Sequence, residues 1–214
     1  MKAVFFDLDG TLLDTLSDLA CATNYSLEKL GFPRRSVKEI RAFVGNGIGR
    51  LLTLALPEDK KDAIDKILPT FREYYGSHSE ISTCPYEGIL SLLDRLKAEG
   101  YVLAVISNKP DSALQPLVKK YFPFIEFAVG EREGIRRKPF PDSIEEALLH
   151  LGVNKNEVLY VGDSEVDVET AANAKIPCIA VTWGFRDRDE LIAGGAAHLA
   201  DTVDELYKLI CELI

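Results

Sequence analysis

The sequence lacks the cysteine patterns that hold small secreted domains together or bind zinc. Its four cysteines are far apart and form no C-x-x-C pair; they are Cys21, Cys84, Cys178 and Cys211. Disulfide frameworks and zinc sites need closely or regularly spaced cysteines. We therefore expect reduced thiols and a cytoplasmic protein, since reducing compartments keep isolated cysteines as thiols.

A long apolar run is also absent. The first apolar stretch, Ala3–Phe6, is interrupted at once by Asp7 and Asp9. A membrane-spanning helix needs about 20 mainly apolar residues, and a secretion signal needs an uninterrupted apolar region. The sequence therefore predicts no membrane partner and no export signal.

Positive charge is scarce. The chain has 25 Lys and Arg against 34 Asp and Glu, which gives a formal net charge of −9. Such a surface repels the phosphates of nucleic acids and of anionic lipids, so we expect neither as a partner. An anionic small molecule would need a local basic patch, and Arg136-Arg137-Lys138 is the densest candidate.

The sequence does contain a regular alternation of apolar strands and amphipathic helices. Five short runs rich in Val, Ile and Phe have the nearly continuous apolar character of parallel strands that are covered on both faces. They are Ala3–Phe6, Val102–Ile106, Phe127–Val129, Val158–Val161 and Cys178–Val181. Helical patterns lie between them at Ile89–Ala98, Asp111–Tyr121, Ile144–Leu151 and Val168–Lys175, and a last one is at Val203–Ile214. The alternation predicts an α/β fold with a doubly wound parallel sheet.

One segment breaks this alternation. About seventy residues after the first strand contain no convincing strand, far more than a normal crossover needs. Four helical patterns occupy them, at Ser17–Leu30, Val37–Phe43, Gly49–Leu56 and Lys60–Tyr75. We therefore predict an all-helical cap domain at residues 15–84, inserted into a core domain of residues 1–14 and 85–214.

Polar residues cluster where the predicted strands end. Asp7 and Asp9 follow the first strand, Ser107 and Asn108 the second, and Asp163 the fourth, with Asp167 four residues later; Lys138 lies in the loop after the third. One such residue alone would usually be a turn former or helix cap. Open α/β sheets, however, bind ligands at the carboxyl ends of their strands. Carboxylates this close repel one another unless a cation lies among them, and Mg²⁺ suits carboxylates and phosphate oxygens.

Four motifs carry a resemblance to the haloacid dehalogenase (HAD) superfamily. They are Asp7-Leu8-Asp9-Gly10-Thr11, Ser107-Asn108, Lys138-Pro139 and Gly162-Asp163-Ser164-Glu165-Val166-Asp167. The likeness spans the whole chain, and Val44-Gly45-Asn46-Gly47 in the predicted cap is similar to the phosphoglycolate phosphatase subgroup. The resemblance implies a Rossmann-like core, a helical cap and a Mg²⁺-dependent phosphatase.

The resemblance also implies chemical roles for the residues that follow the first strand. Asp7 would be the nucleophile that forms an acyl phosphate. Asp9 would be the general acid and then the general base. Because dehalogenases have no leaving oxygen to protonate and lack an acid at this position, Asp9 favours phosphoryl chemistry. Thr11 would orient Asp9 or hold the loop.

The remaining motifs would bind metal and phosphate. Mg²⁺ would be held by the Asp7 and Asp163 carboxylates and the Asp9 backbone carbonyl, with Asp167 supporting the metal site. The transferring phosphoryl group would be held by Ser107 and Lys138, with the backbone amides near Leu8 and Asn108 helping. Asn46 is expected either to face the catalytic site from the cap or only to mark a helix-breaking turn.

The resulting functional hypothesis is hydrolysis of a small anionic phosphorylated metabolite, with 2-phosphoglycolate as the substrate that the resemblance suggests. A pyrophosphatase or nucleotidase is a close alternative. A sugar phosphomutase similar to β-phosphoglucomutase shares the same four motifs. A non-catalytic binding protein on the same fold is a third alternative, although clustered carboxylates argue against it. The sequence leaves open whether the protein is a monomer or a homodimer.

Overall fold

A six-stranded parallel sheet forms the centre of the larger part of the molecule. The computed structural model describes all 214 residues as two compact units, the α/β unit (Met1–Leu13 with Pro85–Ile214) and the helical unit (Asp14–Cys84). Strands β1 to β8 are, in chain order, Ala3–Phe6, Leu13–Asp14, Cys84–Pro85, Val102–Pro110, Phe127–Glu131, Val158–Gly162, Cys178–Val181 and His198–Ala200. Helices α1 to α10 are Leu16–Lys29, Val37–Phe43, Gly47–Ala55, Ile64–His78, Ile89–Ala98, Asp111–Tyr121, Asp142–Leu151, Glu165–Ala174, Arg188–Ala193 and Val203–Leu213.

The strand order in the large sheet is β5-β4-β1-β6-β7-β8, and every pair is parallel. The first strand therefore lies inside the sheet, with Phe6 beside Val105 of β4 and Val161 of β6. The sequence prediction of a parallel α/β core is confirmed. The short strands β2 and β3 form a separate two-stranded sheet.

Both faces of the large sheet are covered by helices. Phe5 belongs to a core on one face that includes side chains of α7 and α8, whereas Phe6 belongs to a core on the other face with α5, α6 and α10. Both rings are fully buried, and burial of each contributes about 1.5–3 kcal/mol. This two-sided burial explains why the strands are continuously apolar rather than alternating.

The helical unit has a core of its own. Helix α1 packs against α2 and α4, and α3 packs against the same two helices around buried Leu27, Leu52 and Phe71. In the first turn of α1, buried Asp18 accepts hydrogen bonds from the backbone N–H groups of Ser82 and Thr83 and from the Thr83 hydroxyl. Asp18 thus joins the beginning of this unit to its end.

Several element boundaries differ from the sequence predictions. Helix α8 begins three residues earlier than predicted, because Ser164 and Asp167 form a capping box at its start. The last helix of the helical unit begins at Ile64 rather than Lys60, since residues Glu58–Ala63 form a 3₁₀ segment. Strand β8 and helix α9 were not predicted; both are short, at three and six residues. No helix combines the length and the apolar character needed to cross a membrane.

Candidate active site

The candidate site lies at the carboxyl edge of the large sheet, where β1 ends between β4 and β6. Asp7 is the first residue beyond β1, and its N–H still donates to the carbonyl of Val161 at 2.8 Å. The sheet therefore fixes the backbone position from which the Asp7 side chain extends. Asp163 follows β6 in the same way, which brings these two carboxylates together as the sequence indicated.

Lys138 lies among the buried carboxylates. Its ammonium nitrogen donates to Asp7 Oδ1 at 2.8 Å and to Asp167 Oδ1 at 2.7 Å. It also donates to the hydroxyl of Tyr160 at 3.1 Å, and that hydroxyl donates to the carbonyl of Ile106. The lysine is buried, so its charge is balanced by protein carboxylates rather than by solvent.

Asn108 holds the loop that carries Lys138. Its side-chain amide donates to the Lys138 carbonyl at 3.1 Å, and its amide oxygen accepts from the Lys138 N–H at 2.8 Å. This reciprocal pair fixes the backbone at the lysine. Sequence analysis assigned the backbone amide near Asn108 to the phosphoryl group, and the structure adds that the Asn108 side chain positions the lysine loop.

Asp167 has two sets of partners. Its Oδ1 accepts from Lys138, while its Oδ2 accepts from the N–H groups of Asp163 and Ser164 and from the Ser164 hydroxyl. The Oδ2 contacts cap the first turn of α8, where a negative charge is also favoured by the helix dipole. The same carboxylate therefore orders both the lysine and the Asp163 loop.

Asp163 is enclosed by groups that leave little room around it. Its Oδ2 accepts from the N–H of Phe185 at 2.6 Å, and its Oδ1 is 3.5 Å from the hydroxyl of Thr11. A Cβ at Gly10 or at Gly184 would overlap the Asp163 side chain. Gly10 also has a positive φ of +93°, so glycine is required there for two reasons.

Asp9 pairs with a residue that sequence analysis did not select. The ammonium group of Lys109, near the end of β4, donates to Asp9 Oδ1 at 3.0 Å. A lysine that follows a strand usually extends into solvent, and only the pairing of β1 with β4 brings this one to Asp9. Tyr160, beneath Lys138, was also missed because its position in β6 reads as an ordinary core residue.

The remaining predicted residues are spread over both units. Ser107 is buried in β4, and its hydroxyl accepts from the Lys109 N–H at 3.2 Å. The carbonyl of Thr11 accepts from the Trp183 indole at 3.1 Å. Asn46 precedes α3 in the helical unit, half-buried and without a side-chain hydrogen bond to that helix. Arg136 is exposed and paired with Asp142.

Burial and charge shift the pKa values of the central groups. Burial raises the pKa of Asp7 to about 6; Lys138 opposes this shift, and Asp167 adds to it. Burial also raises the pKa of Asp163 well above its usual value, and the nearby charges of Asp167 and Asp7 act in the same direction. Burial alone would lower the pKa of Lys138, but the carboxylates of Asp167 and Asp7 outweigh it and raise that pKa.

These shifts indicate that the cluster carries more negative charge than Lys138 balances. Asp7, Asp163 and Asp167 each offer a carboxylate oxygen within 4.8 Å of the others, and all three side chains are buried. A second cation of the oxygen-preferring kind would allow Asp7 and Asp163 to ionise together. The three carboxylates therefore fit a magnesium ion. Asp7 and Asp163 would bind it, because Lys138 does not fully balance their negative charge.

Comparison with known proteins places this geometry in a family. The family model for haloacid dehalogenase-like hydrolases matches residues 4–181. The phosphoglycolate phosphatase of Pseudomonas savastanoi pv. phaseolicola is 33% identical over 217 residues, which cover 98% of this chain and 78% of that protein. The phosphoglycolate phosphatase of Neisseria meningitidis is 34% identical over 221 residues, with 97% and 93% covered.

Solved structures agree with the sequence matches. A Lactobacillus delbrueckii subsp. bulgaricus protein, provisionally assigned as a phosphoglycolate phosphatase, superimposes with a TM-score of 0.93 at 39% identity, covering 98% of this chain and 99% of that one. A haloacid dehalogenase-like family hydrolase from Streptococcus pneumoniae superimposes with a TM-score of 0.88 at 26% identity, covering 98% of each chain.

Proposed function

This chain belongs to the haloacid dehalogenase-like hydrolase family and is a phosphatase, and from that premise we propose that it hydrolyses a small phosphomonoester through a phosphoryl-enzyme formed on Asp7. The observation that carries the proposal is the position of Asp7. Its buried carboxylate lies at the end of the central strand, 2.8 Å from the Lys138 ammonium and within 4.8 Å of Asp163 and Asp167. A nucleophile so placed meets an anionic phosphoryl group where positive charge can offset the repulsion.

The first step transfers the phosphoryl group to the protein. An oxygen of Asp7 forms a bond to phosphorus while the bond from phosphorus to the leaving oxygen breaks. Asp9, in its protonated form, gives its proton to that leaving oxygen. Lys138 holds the phosphoryl oxygens close to Asp7, together with the hydroxyl of Ser107.

The second step releases phosphate. Asp9, now ionised, takes a proton from a water molecule as the water oxygen attacks phosphorus and the bond between Asp7 and phosphorus breaks. This returns both carboxyl groups to their starting states. Both steps need one acid–base group that can reach the leaving oxygen and then a water molecule. Asp9 fits this role because its carboxylate is part-exposed, whereas that of Asp7 is buried.

Magnesium completes the proposed site. Asp7 and Asp163 would bind it with their carboxylates and Asp9 with its backbone carbonyl, while Asp167 orders the loop around Asp163. When bound, Mg²⁺ shields the negative charge between the Asp7 carboxylate and the phosphoryl oxygens. The raised pKa values of Asp7 and Asp163 support this assignment, because both carboxylates ionise more readily with a cation between them.

For the substrate we propose 2-phosphoglycolate or a phosphomonoester of similar size. The relatives named above support this choice, since two of them are phosphoglycolate phosphatases that match almost the whole chain. Among the residues outside the four motifs, we assign Asn46, at the start of α3, to substrate binding.

The test is Mg²⁺-dependent phosphate release from a panel of 2-phosphoglycolate, sugar phosphates, nucleotides and pyrophosphate. Asp7→Asn removes the nucleophile, and the matched control Asp94→Asn changes an exposed carboxylate on α5. We expect one preferred phosphomonoester, with activity lost in Asp7→Asn and on chelation but retained in Asp94→Asn. A preference for pyrophosphate or a nucleotide would contradict the proposed substrate but not the proposed hydrolysis. Isomerisation of β-glucose 1-phosphate without phosphate release would contradict the proposal that the protein is a hydrolase acting on phosphomonoesters.

A further inference from the structure

An ion pair between a buried lysine and a part-exposed aspartate connects the end of β4 to the loop after β1. Lys109 is the penultimate residue of β4, and its ammonium nitrogen is 3.0 Å from Asp9 Oδ1. The Lys109 side chain is only 2% exposed, against 14% for that of Asp9. The pair is separate from the cluster around Lys138, whose ammonium group contacts Asp7, Asp167 and Tyr160.

One carboxylate oxygen of Asp9 is held by the ion pair. Oδ1 accepts a hydrogen bond from the Lys109 ammonium group at 3.0 Å. The backbone on either side is also fixed, because Asp9 bridges to Leu13 and the Gly10 N–H donates to the Leu13 carbonyl at 2.8 Å. With its backbone and one oxygen held, the Asp9 carboxylate presents its other oxygen in a defined direction.

Stability alone does not explain a buried lysine at this position. Removing an ammonium group from water is unfavourable, and a buried ion pair often stabilises a fold no better than apolar side chains of similar volume. A proton donor, by contrast, must stay within about 3 Å of the atom it protonates. An aspartate side chain without an anchor would rotate away from that position.

We infer that Lys109 is a positioning residue for proton transfer, which holds Asp9 by Oδ1 so that Oδ2 faces the leaving oxygen. The inference rests on the proposed function, in which Asp9 is the general acid and base. Lys109 does not touch the substrate in this account. Its loss should therefore weaken proton transfer and leave phosphate binding nearly unchanged.

The leaving group gives a direct measure of this effect. A phosphate ester of a weakly acidic alcohol needs a proton at its leaving oxygen, whereas p-nitrophenolate departs without one. We expect Lys109→Met to lower kcat/KM for 2-phosphoglycolate and unsubstituted phenyl phosphate by about 10²-fold, within the usual range for general acid catalysis. For p-nitrophenyl phosphate kcat/KM should fall by less than about 5-fold, with the inhibition constant for inorganic phosphate within about 3-fold of wild type.

The experiment compares four variants across aryl phosphates of graded leaving-group acidity. They are Lys109→Met, Asp9→Asn, the double variant, and Lys97→Met as a matched control that removes the exposed ion pair with Glu126. We expect Lys109→Met and Asp9→Asn to share the same steep dependence on leaving-group acidity. The double variant should be no slower than Asp9→Asn alone, because the two residues act as one unit.

Each outcome separates the inference from the proposal beneath it. An equal loss for every leaving group, with weaker phosphate inhibition, would mean that Lys109 binds the phosphoryl group and would overturn the inference. Leaving-group dependence in Asp9→Asn but not in Lys109→Met would also overturn it while leaving the proposed function intact. No such dependence in Asp9→Asn would instead refute the acid role of Asp9. If Lys109→Met does not fold, Lys109→Gln retains a donor near Asp9 and should show a smaller loss with the same dependence.

Discussion

The ammonium nitrogen of Lys138 lies 2.8 Å from Oδ1 of Asp7, although the two residues are 131 positions apart in the sequence. Both side chains are buried, so neither charge is stabilised by bulk water. The lysine is held in turn by Asp167 and by the hydroxyl of Tyr160. The proposed nucleophile therefore depends on a cation whose position is set by side chains of β6 and α8 in the α/β unit.

Replacing that cation should affect both activity and folding. Lys138→Met leaves Asp7 and Asp167 as buried carboxylates without their partner, a change that usually costs about 3–5 kcal/mol. We expect a loss of unfolding free energy in that range and a fall in kcat/KM of at least about 10³-fold. Urea unfolding and steady-state kinetics measure the two effects. Unchanged kinetics in a folded Lys138→Met protein would contradict a role in phosphoryl binding.

The raised pKa of Asp7 makes a prediction about pH. The folded protein holds the Asp7 proton up to about pH 6, whereas a free carboxyl group loses it near 3.8. Between these values the folded state binds more protons, so this contribution to stability is present below about pH 3.8 and is lost as pH rises through about 6. Its size is about 3 kcal/mol, from about 1.4 kcal/mol per pKa unit.

Urea unfolding between pH 4 and 7 in the presence of a chelator tests this sign. Wild type should lose more stability over this range than Asp7→Asn, which has no carboxyl group to titrate. At pH 7, Mg²⁺ should raise the unfolding midpoint of wild type more than that of Asp7→Asn, because the ion binds only the folded site. Parallel pH curves for the two proteins would show that Asp7 titrates normally.

A comparison of alanine substitutions at Gly10 and Gly100 distinguishes the effect of backbone strain from that of crowding at the proposed metal site. Both have a positive φ, +93° and +86°, but a Cβ at Gly10 would overlap the Asp163 carboxylate while one at Gly100 would meet nothing within 4 Å. Gly100→Ala should cost about 1–2 kcal/mol of stability with normal kinetics. Gly10→Ala should cost more and should lower kcat/KM and the apparent affinity for Mg²⁺ by at least about 10-fold each. Equal kinetics in the two variants would show that the loop can move away from Asp163 without consequence.

Asp18 provides a test within the helical unit. Its carboxylate accepts the N–H groups of Ser82 and Thr83, and Asp18→Ala would leave both donors without that acceptor. We expect a loss of about 3 kcal/mol in urea unfolding, against about 1 kcal/mol for Thr83→Val, which removes the hydroxyl bond to Asp18 and keeps the N–H bond. Glu73→Ala, at an exposed position of α4, should change stability by less than about 0.5 kcal/mol. A loss in Asp18→Ala no greater than in Glu73→Ala would contradict this account.

The parts of the fold that follow from local pattern were predictable from the sequence. Strand β1 and helices α5 and α6 have the predicted bounds, because continuous apolar runs and helical spacing define them. Strand β8 was not predicted, because its three residues are too few to show a period. The start of α8 depends on a capping box formed by Ser164 and Asp167. Both residues are visible in the sequence, but the hydrogen bonds between them are visible only in the structure.

The candidate site was also predictable only in part. Asp7 and Asp163 could be assigned to one edge because each directly follows an apolar strand. Lys109 could not be assigned, since its contact with Asp9 depends on the pairing of β1 with β4. Nor could the sequence indicate that the Asn108 side chain would bind the backbone of Lys138, 30 residues away. Contacts between distant segments require the three-dimensional register of the sheet.

The most direct test of the account is chemical trapping of the phosphoryl-enzyme on Asp7. The Asp9→Asn variant, which lacks the base for the second step, is mixed with p-nitrophenyl phosphate and Mg²⁺ and quenched with borohydride after the burst of p-nitrophenol. Borohydride reduces an aspartyl phosphate to homoserine, which peptide mass spectrometry locates in the sequence. The account predicts homoserine at position 7 only. A stoichiometric burst with Asp7 unmodified, or with homoserine at another carboxylate, would contradict it.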